Sequence, residues 1–416
     1  MNVTIQPHEL CGELCAPPSK SFMHRILICA ALSDKCTDIK CSELSEDTRA
    51  TMNALSSLGA QFEIKENSIF VTPVREHARE CEIDCKESGS TFRFMLPIVA
   101  SIGKKVSFCG SQRLGERPIL PLCECLESGG VVFCRGKGTL PCEIEGKMKN
   151  GVYEITGDVS SQFISGLMMA LGNIGGGEIK ITGKIKSAPY IKITAEVMKS
   201  FGAEVVKTDC GYIVKSDGYK TTGKVFVEGD LSNAAFHLAI GALGGKIRLS
   251  GLNEDTVQGD GKIVDILKEM GADITRENDA LTVRKSLLSP IQLDCEDIPD
   301  IVPVLCVVAC GAEGESTFYN IKRLREKESD RVESTCALIK ALGGNITADE
   351  NAIKVSGTGK LRGGTVDSFN DHRIAMSAAA ASVICDEKVT ITDAQAVNKS
   401  YPDFFEKFVL LGGKII

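Results

Sequence analysis

The sequence predicts an α/β protein of six repeated β-α-β-α-β-β units, three to a lobe, and three observations carry this. A glycine ends an amphipathic stretch and precedes a strand pattern at Gly59, Gly129, Gly202, Gly271, Gly343 and Gly412, at intervals of 70, 73, 69, 72 and 69 residues. A second series, Ser21, Ser90, Ser161, Ser232, Asp300 and Asp371, opens small or apolar runs at helical spacing, at intervals of 69, 71, 71, 68 and 71. The 416 residues exceed one ordinary core and suit two lobes of about 200 residues each.

The elements follow in order. The first unit contains the run Phe22–Leu32, then the phrase ending at Gly59, then Gln61–Ile64 and Ile69–Val71 as two strands around a polar turn. The second and third repeat the pattern at Ser90 with Gly129 and at Ser161 with Gly202, the latter through the run Gly166–Leu171. The fourth places Ala272–Ile274 and Ala280–Val283 after Gly271; the fifth and sixth carry Ile301–Cys310 and Ile374–Ile384. Each glycine fits a left-handed residue that stops a helix before the next strand. Two lobes would meet near Val227-Glu228-Gly229-Asp230, and periodicity leaves the partner of the first 18 residues open.

Composition narrows the function. Hydrophobic residues make up 43% and charged residues 25%, a globular mixture. A net charge of -7, with no basic patch interleaved with aromatics, argues against nucleic acid, while a locally positive cleft for small anions stays possible. The start Met1–Pro7 lacks a signal-peptide pattern, and the run Ile301–Cys310 is too short to span a bilayer, so no membrane role is expected. Eighteen cysteines contain no C-x-x-C, and most sit in apolar helical patterns. They read as packing thiols of a reducing, cytoplasmic protein, with no metal site expected.

Unusual polar residues collect at the helix openings, where unpaired N–H groups attract phosphate or carboxylate. Pro17-Pro18-Ser19-Lys20-Ser21 is followed one turn later by Arg25; alone it would also fit a serine cap with solvated cations. In Ser88-Gly89-Ser90-Thr91-Phe92-Arg93, glycine permits close approach of a ligand, and Arg93 fits either an anion or a pair with Glu87. Arg117 precedes Pro118, read as a first helical residue. Val159-Ser160-Ser161-Gln162 groups two hydroxyls and an amide, and Ser187 with Tyr190 pairs a hydroxyl, itself a fitting cap, with a phenol that packing alone could explain. Asp300 reads as a helix cap, Lys327–Arg331 as a charge run, and Asn370-Asp371-His372-Arg373 as a dense hydrogen-bonding set, with Lys399 before another helix start at Ser400-Tyr401-Pro402.

Together these residues resemble the 5-enolpyruvylshikimate-3-phosphate synthases (3-phosphoshikimate 1-carboxyvinyltransferases) along essentially the whole chain. The most specific pieces are Lys327-Glu328-Ser329-Asp330-Arg331 and Asn370-Asp371-His372-Arg373. The resemblance implies the two-lobed enolpyruvyl transferase fold, an inside-out α/β barrel in each lobe. Residues 19–228 would form one lobe and residues 1–18 with 229–416 the other, with the active site in the inter-lobe cleft. It implies transfer of enolpyruvyl from phosphoenolpyruvate to the 5-hydroxyl of shikimate 3-phosphate, by addition and elimination through a tetrahedral intermediate, without a cofactor and as a monomer. By the same match Lys20, Ser21, Arg25, Ser160, Ser161, Gln162, Ser187, Tyr190, Asp300 and Lys327 hold shikimate 3-phosphate. Lys20, Gly89, Arg117, Gln162, Arg331, Arg373 and Lys399 surround phosphoenolpyruvate. Lys20, Asp300 and Glu328 are the expected acid–base groups.

Glu87, Ser90 and Arg323 depart from the family pattern, in which asparagine, threonine and asparagine are usual; Gly89 retains the small pocket associated with glyphosate. The sister enzymes that use UDP-N-acetylglucosamine usually carry a cysteine in the loop before the arginine matching Arg117, whereas this chain reads Ser111-Gln112-Arg113-Leu114-Gly115-Glu116. A non-catalytic anion-binding protein on the same scaffold would have no need of Lys20, Asp300 and Glu328 together.

Overall fold

The computed structural model describes residues 1–75, 80–135 and 139–416. The chain forms two compact units, Pro18–Val227 and Met1–Pro17 with Glu228–Ile416. The described strands form six four-stranded sheets, one per repeat. In the second repeat Glu80–Asp84 lies parallel to Lys105–Cys109, which is antiparallel to Cys142–Glu145, with Val132–Arg135 at the edge. The third and fifth repeats keep this order.

The other three repeats complete their sheets from distant sequence. Lys224–Phe226 supplies the first repeat's parallel edge strand, with Lys224 opposite Asp38. Leu10–Cys15 does the same for the fourth repeat, Leu10 opposite Gly245. Val3–Gln6 fills an inner place of the sixth, antiparallel to Val389–Thr392 and to Lys414–Ile415. The segment that periodicity left unassigned is therefore structural: Ile5 is fully buried.

Each unit is built around three apolar helices. In the Glu228–Ile416 unit every residue of the helices Leu231–Gly244, Val302–Cys310 and His372–Ala381 is buried, as expected of helices that are apolar all round. In the other unit the helices Lys20–Ala31, Gly89–Ile102 and Ser161–Asn173 are nearly as buried, and the less buried positions include Lys20, Ser21, Ser90 and Gln162 at their starts. Helices are thus the inner layer and sheets the outer. Each sheet stays open rather than closing into a barrel of strands.

Sequence and structure differ at one repeat glycine. Gly59, Gly202, Gly271, Gly343 and Gly412 have φ between 82° and 109°, but Gly129 has φ -86° and Gly130 takes the left-handed place at φ 93°. A β-carbon on Gly129 would instead meet the Tyr153 ring at 2.6 Å. Of two adjacent glycines, one turns the chain and the other makes room.

Candidate active site

In the Pro18–Val227 unit the predicted residues converge at the helix starts. Ser19 is the N-cap of the Lys20 helix but makes no side-chain cap bond, and Lys20 Nζ meets Asp47 Oδ2 at 2.8 Å. Arg25, one turn on, is 2% exposed. Its Nε donates to Thr194 Oγ1 at 2.6 Å, Nη1 to the Ser21 carbonyl at 2.7 Å and Nη2 to the Tyr190 carbonyl at 3.1 Å, and its guanidinium lies 4.8 Å from the Phe94 ring centre. Burial pulls it down to about 10. No described carboxylate forms an ion pair with it, so this desolvated cation is held by neutral acceptors alone. A buried charge without a counterion is costly; an anionic ligand would supply the counterion.

Gln162 is fixed from two sides. Its Oε1 accepts from Arg93 Nη1 at 2.7 Å and its Nε2 donates to Ser90 Oγ at 2.9 Å, while Ser160 Oγ caps the helix by accepting from the Gln162 amide at 3.3 Å. Gly166 permits this, because a β-carbon there would meet the Arg93 carbonyl at 2.9 Å and Pro97 at 2.8 Å. Arg93, read as an anion ligand or a partner of Glu87, also donates to the Pro118 carbonyl at 3.1 Å and orients Gln162. Ser161 is buried beside it. Ser187 occupies the N-cap position of Ala188–Ser200, which carries Tyr190, but at φ 52° its side chain makes no cap bond. A non-glycine residue held left-handed carries local strain, which leaves the Ser187 hydroxyl unused for capping.

Gly89 and Arg117 are in contact. A β-carbon on Gly89 would stand 2.5 Å from Arg117 Nη1 and 2.9 Å from Cζ. Pro118 is not a first helical residue either; the following helix is Leu120–Ser128 with Ile119 as its N-cap. Gly89→Ala should displace the Arg117 guanidinium and raise KM for an anionic substrate about tenfold, roughly 1.4 kcal/mol, with kcat changed less. Steady-state kinetics of the purified variant checks this.

The Glu228–Ile416 unit carries a network of opposite charges. Asp300 is not a cap, because its helix begins at Val302 with Ile301 as N-cap. Its Oδ1 instead accepts from Lys327 Nζ at 3.0 Å and Arg331 Nη1 at 2.8 Å, and its Oδ2 from Arg373 Nη2 at 3.4 Å. Burial alone would raise Asp300, but Lys327, Arg331 and Arg373 outweigh it and hold the carboxyl well below the usual range. Burial lowers Lys327, with Asp300 opposing. Arg331 also donates to Glu328 Oε2 at 2.7 Å and, through Nε, to Asp371 Oδ2 at 2.9 Å. Asp371 caps the His372 helix, accepting from the Arg373 amide at 2.9 Å.

The preceding residues Phe369 and Asn370 are both left-handed, at φ 53° and 52°, and the Asn370 carbonyl accepts from Lys399 Nζ at 2.5 Å. Lys399 ends the short turn Ala394–Lys399, and the next helix starts only at Phe404, so Ser400-Tyr401-Pro402 is a linker rather than a helix start. Arg323 lies in the turn Lys322–Glu326 and lowers Lys327 through like charge.

The sequence reading missed Asp47 under Lys20 and Asn233, whose Oδ1 accepts from Arg373 Nη1 at 3.0 Å, and it read Asp371 as a helix opening and part of a hydrogen-bonding set without its pairing to Arg331. Asp371 and Asn233 sit at helix openings, where capping already explained such residues. Among the described residues no cluster suited to a metal ion occurs, and no helix is long and apolar enough to cross a membrane. All eighteen cysteines are free thiols.

The comparisons with known proteins show the family and the fold. A family model for EPSP synthase (3-phosphoshikimate 1-carboxyvinyltransferase) matches residues 5–408. The 3-phosphoshikimate 1-carboxyvinyltransferase of Clostridium kluyveri is 39% identical over 416 residues, spanning 99% of this chain and 98% of that relative. The EPSP synthase of Acinetobacter baumannii superposes with a TM-score of 0.83 at 25% identity, covering 100% of this chain and 99% of its own. The enolpyruvyl transferase NikO of Streptomyces tendae gives 0.81 at 16% identity, covering 100% and 98%, a likeness of fold alone. The fold is that of an enolpyruvyl transferase. Within that class, the chain belongs to the EPSP synthase family.

Proposed function

We infer that this chain transfers the enolpyruvyl group of phosphoenolpyruvate to the 5-hydroxyl of shikimate 3-phosphate, releasing phosphate and 5-enolpyruvylshikimate 3-phosphate. The observation that carries this reading is the family match across residues 5–408, in a chain that carries Lys20, Asp300 and Glu328. Shikimate 3-phosphate is assigned to Ser21, Arg25, Ser160, Ser161, Gln162, Ser187 and Tyr190, with Lys20, Asp300 and Lys327. The uncompensated Arg25 charge supports a phosphate there. Phosphoenolpyruvate is assigned to Gly89, Arg117, Gln162, Arg331, Arg373 and Lys399, with Lys20. Three arginines suit its carboxylate and phosphate because a planar guanidinium can grip either with two N–H groups.

Asp300 takes the proton of the 5-hydroxyl as its oxygen bonds to C2 of phosphoenolpyruvate, and Lys20 or Glu328 delivers a proton to C3, making a methyl group. The intermediate is tetrahedral at C2, and the arginines stabilise the charge around it. Loss of one C3 proton restores the double bond as the C2–O bond to phosphate breaks. Electrons and protons balance without an outside oxidant or reductant. Asp300 becomes basic enough when anions neutralise Arg331 and Arg373, since these, with Lys327, are the groups that hold it low. The chain is further proposed to act as a cytoplasmic monomer and, with Gly89 open, to be inhibited by glyphosate.

Phosphate release from phosphoenolpyruvate tests the assignment. Release is expected with shikimate 3-phosphate and not with UDP-N-acetylglucosamine. Release with the nucleotide sugar alone would overturn it, and binding without turnover would favour a non-catalytic role.

A further inference from the structure

Asp260 lies in the turn Gly259–Lys262 ahead of the helix Ile263–Glu269 and is 3% exposed. Its Oδ2 accepts from the Ser232 hydroxyl, while Oδ1 is buried with no hydrogen-bond partner. Ser232 stands in the first turn of Leu231–Gly244, and the next residue, Asn233, holds Arg373. The Nε of Arg373 is likewise buried without a hydrogen-bond partner. Such leftover polar atoms are uncommon in a packed interior and call for a reason.

The groups that face Asp260 are few. Asp230 comes from the start of the Leu231 helix, Asp300 from the turn before Val302, and Arg373 from the His372 helix. Lys262, on its own turn, is exposed. Burial first and Asp300 next push Asp260 up to about 7, against the Ser232 hydrogen bond and Arg373. An anion on Arg373 would cancel the cation that favours ionised Asp260.

Building on the enolpyruvyl transfer reading, we propose that Asp260 is a positioning residue for Arg373 that takes up a proton as phosphoenolpyruvate settles on that arginine. By linkage, the protonated form of Asp260 binds the anion more tightly and the ionised form less so. Affinity for phosphoenolpyruvate then falls as pH rises above about 7, a range in which the ligand's phosphate is already largely ionised.

The test measures kcat and KM for phosphoenolpyruvate from pH 7 to 8.5 at saturating shikimate 3-phosphate. For the unaltered chain KM is expected to rise about tenfold across this range. In Asp260→Asn, which stays neutral, KM should remain flat with kcat within about threefold of the unaltered chain. Ser232→Ala removes a bond that favours the ionised form, so its KM rise should move to higher pH. A merely structural Asp260 would change stability and leave the three profiles parallel, and parallel profiles in active protein would overturn the proposal. Should Asp260→Asn fail to fold, an unshifted profile in Ser232→Ala is sufficient to overturn it. Absence of turnover in the unaltered chain would overturn the enolpyruvyl transfer reading as well, so the two failures are distinct.

Discussion

Asp300→Asn is expected to lower kcat by about 10²–10⁴-fold, the usual contribution of a positioned general base, while KM for both substrates stays level or falls. The split follows from the contacts. Asp300 spends its two oxygens on Lys327, Arg331 and Arg373. An amide in its place cannot take a proton, yet it leaves three cations more available to anionic ligands. The fold should persist, because Arg331 keeps Asp371 and Glu328. Some stability is lost nonetheless: a carboxyl held below its unfolded pKa of about 3.9 stabilises the fold above that pH and ceases to as pH falls through the folded value. The variant should therefore be less stable than the parent at neutral pH and differ least in strong acid. Stopped-flow kinetics with urea denaturation at two pH values separates the effects. An unchanged kcat would remove Asp300 from the proton transfer.

Asp371→Asn is the largest expected loss of stability, about 3 kcal/mol at neutral pH. Asp371 is fully buried and serves three functions at once. It pairs with Arg331, whose side chain is 1% exposed; it accepts from Ser329 Oγ at 3.0 Å; and it caps the helix that carries Arg373. Asparagine keeps one acceptor oxygen for the cap but removes the charge from a buried pair. A partnerless buried charge costs more than a surface pair ever contributes. Here Asp300 and Glu328 remain near Arg331, which keeps the loss at the low end for a broken buried pair. The midpoint of urea unfolding should fall with an unchanged slope. A midpoint within error of the parent would show that Asp371 is not needed to hold Arg331.

The six-fold repeat was legible because it rests on backbone chemistry. Left-handed helix ends need glycine, and five of six recur at the expected residue. Gly129 and Gly130 could not be separated, since which one turns depends on where Tyr153 packs. The helix starts at Ser161 and Asp371 were readable from capping residues, whereas Asp300 was misread as a cap because its partners lie 27, 31 and 73 residues away. Charge pairs of that separation leave no local periodicity. The same holds for Arg93, whose bond to Gln162 depends on Gly166 letting two helices approach. Strand completion by Val3–Gln6 and Lys224–Phe226 is likewise a matter of topology that spacing does not encode.

The central claim of the proposed function is an addition and elimination on phosphoenolpyruvate with shikimate 3-phosphate as acceptor. Deuterium incorporation tests it most directly. With both substrates in D2O, protonation of C3 makes a methyl group that loses one of three hydrogens, so deuterium should enter the enolpyruvyl methylene of the product. Incorporation should require shikimate 3-phosphate and be strongly suppressed in Lys20→Met and Glu328→Gln. Product formed at the normal rate with no deuterium at C3, or incorporation without shikimate 3-phosphate, would contradict the account.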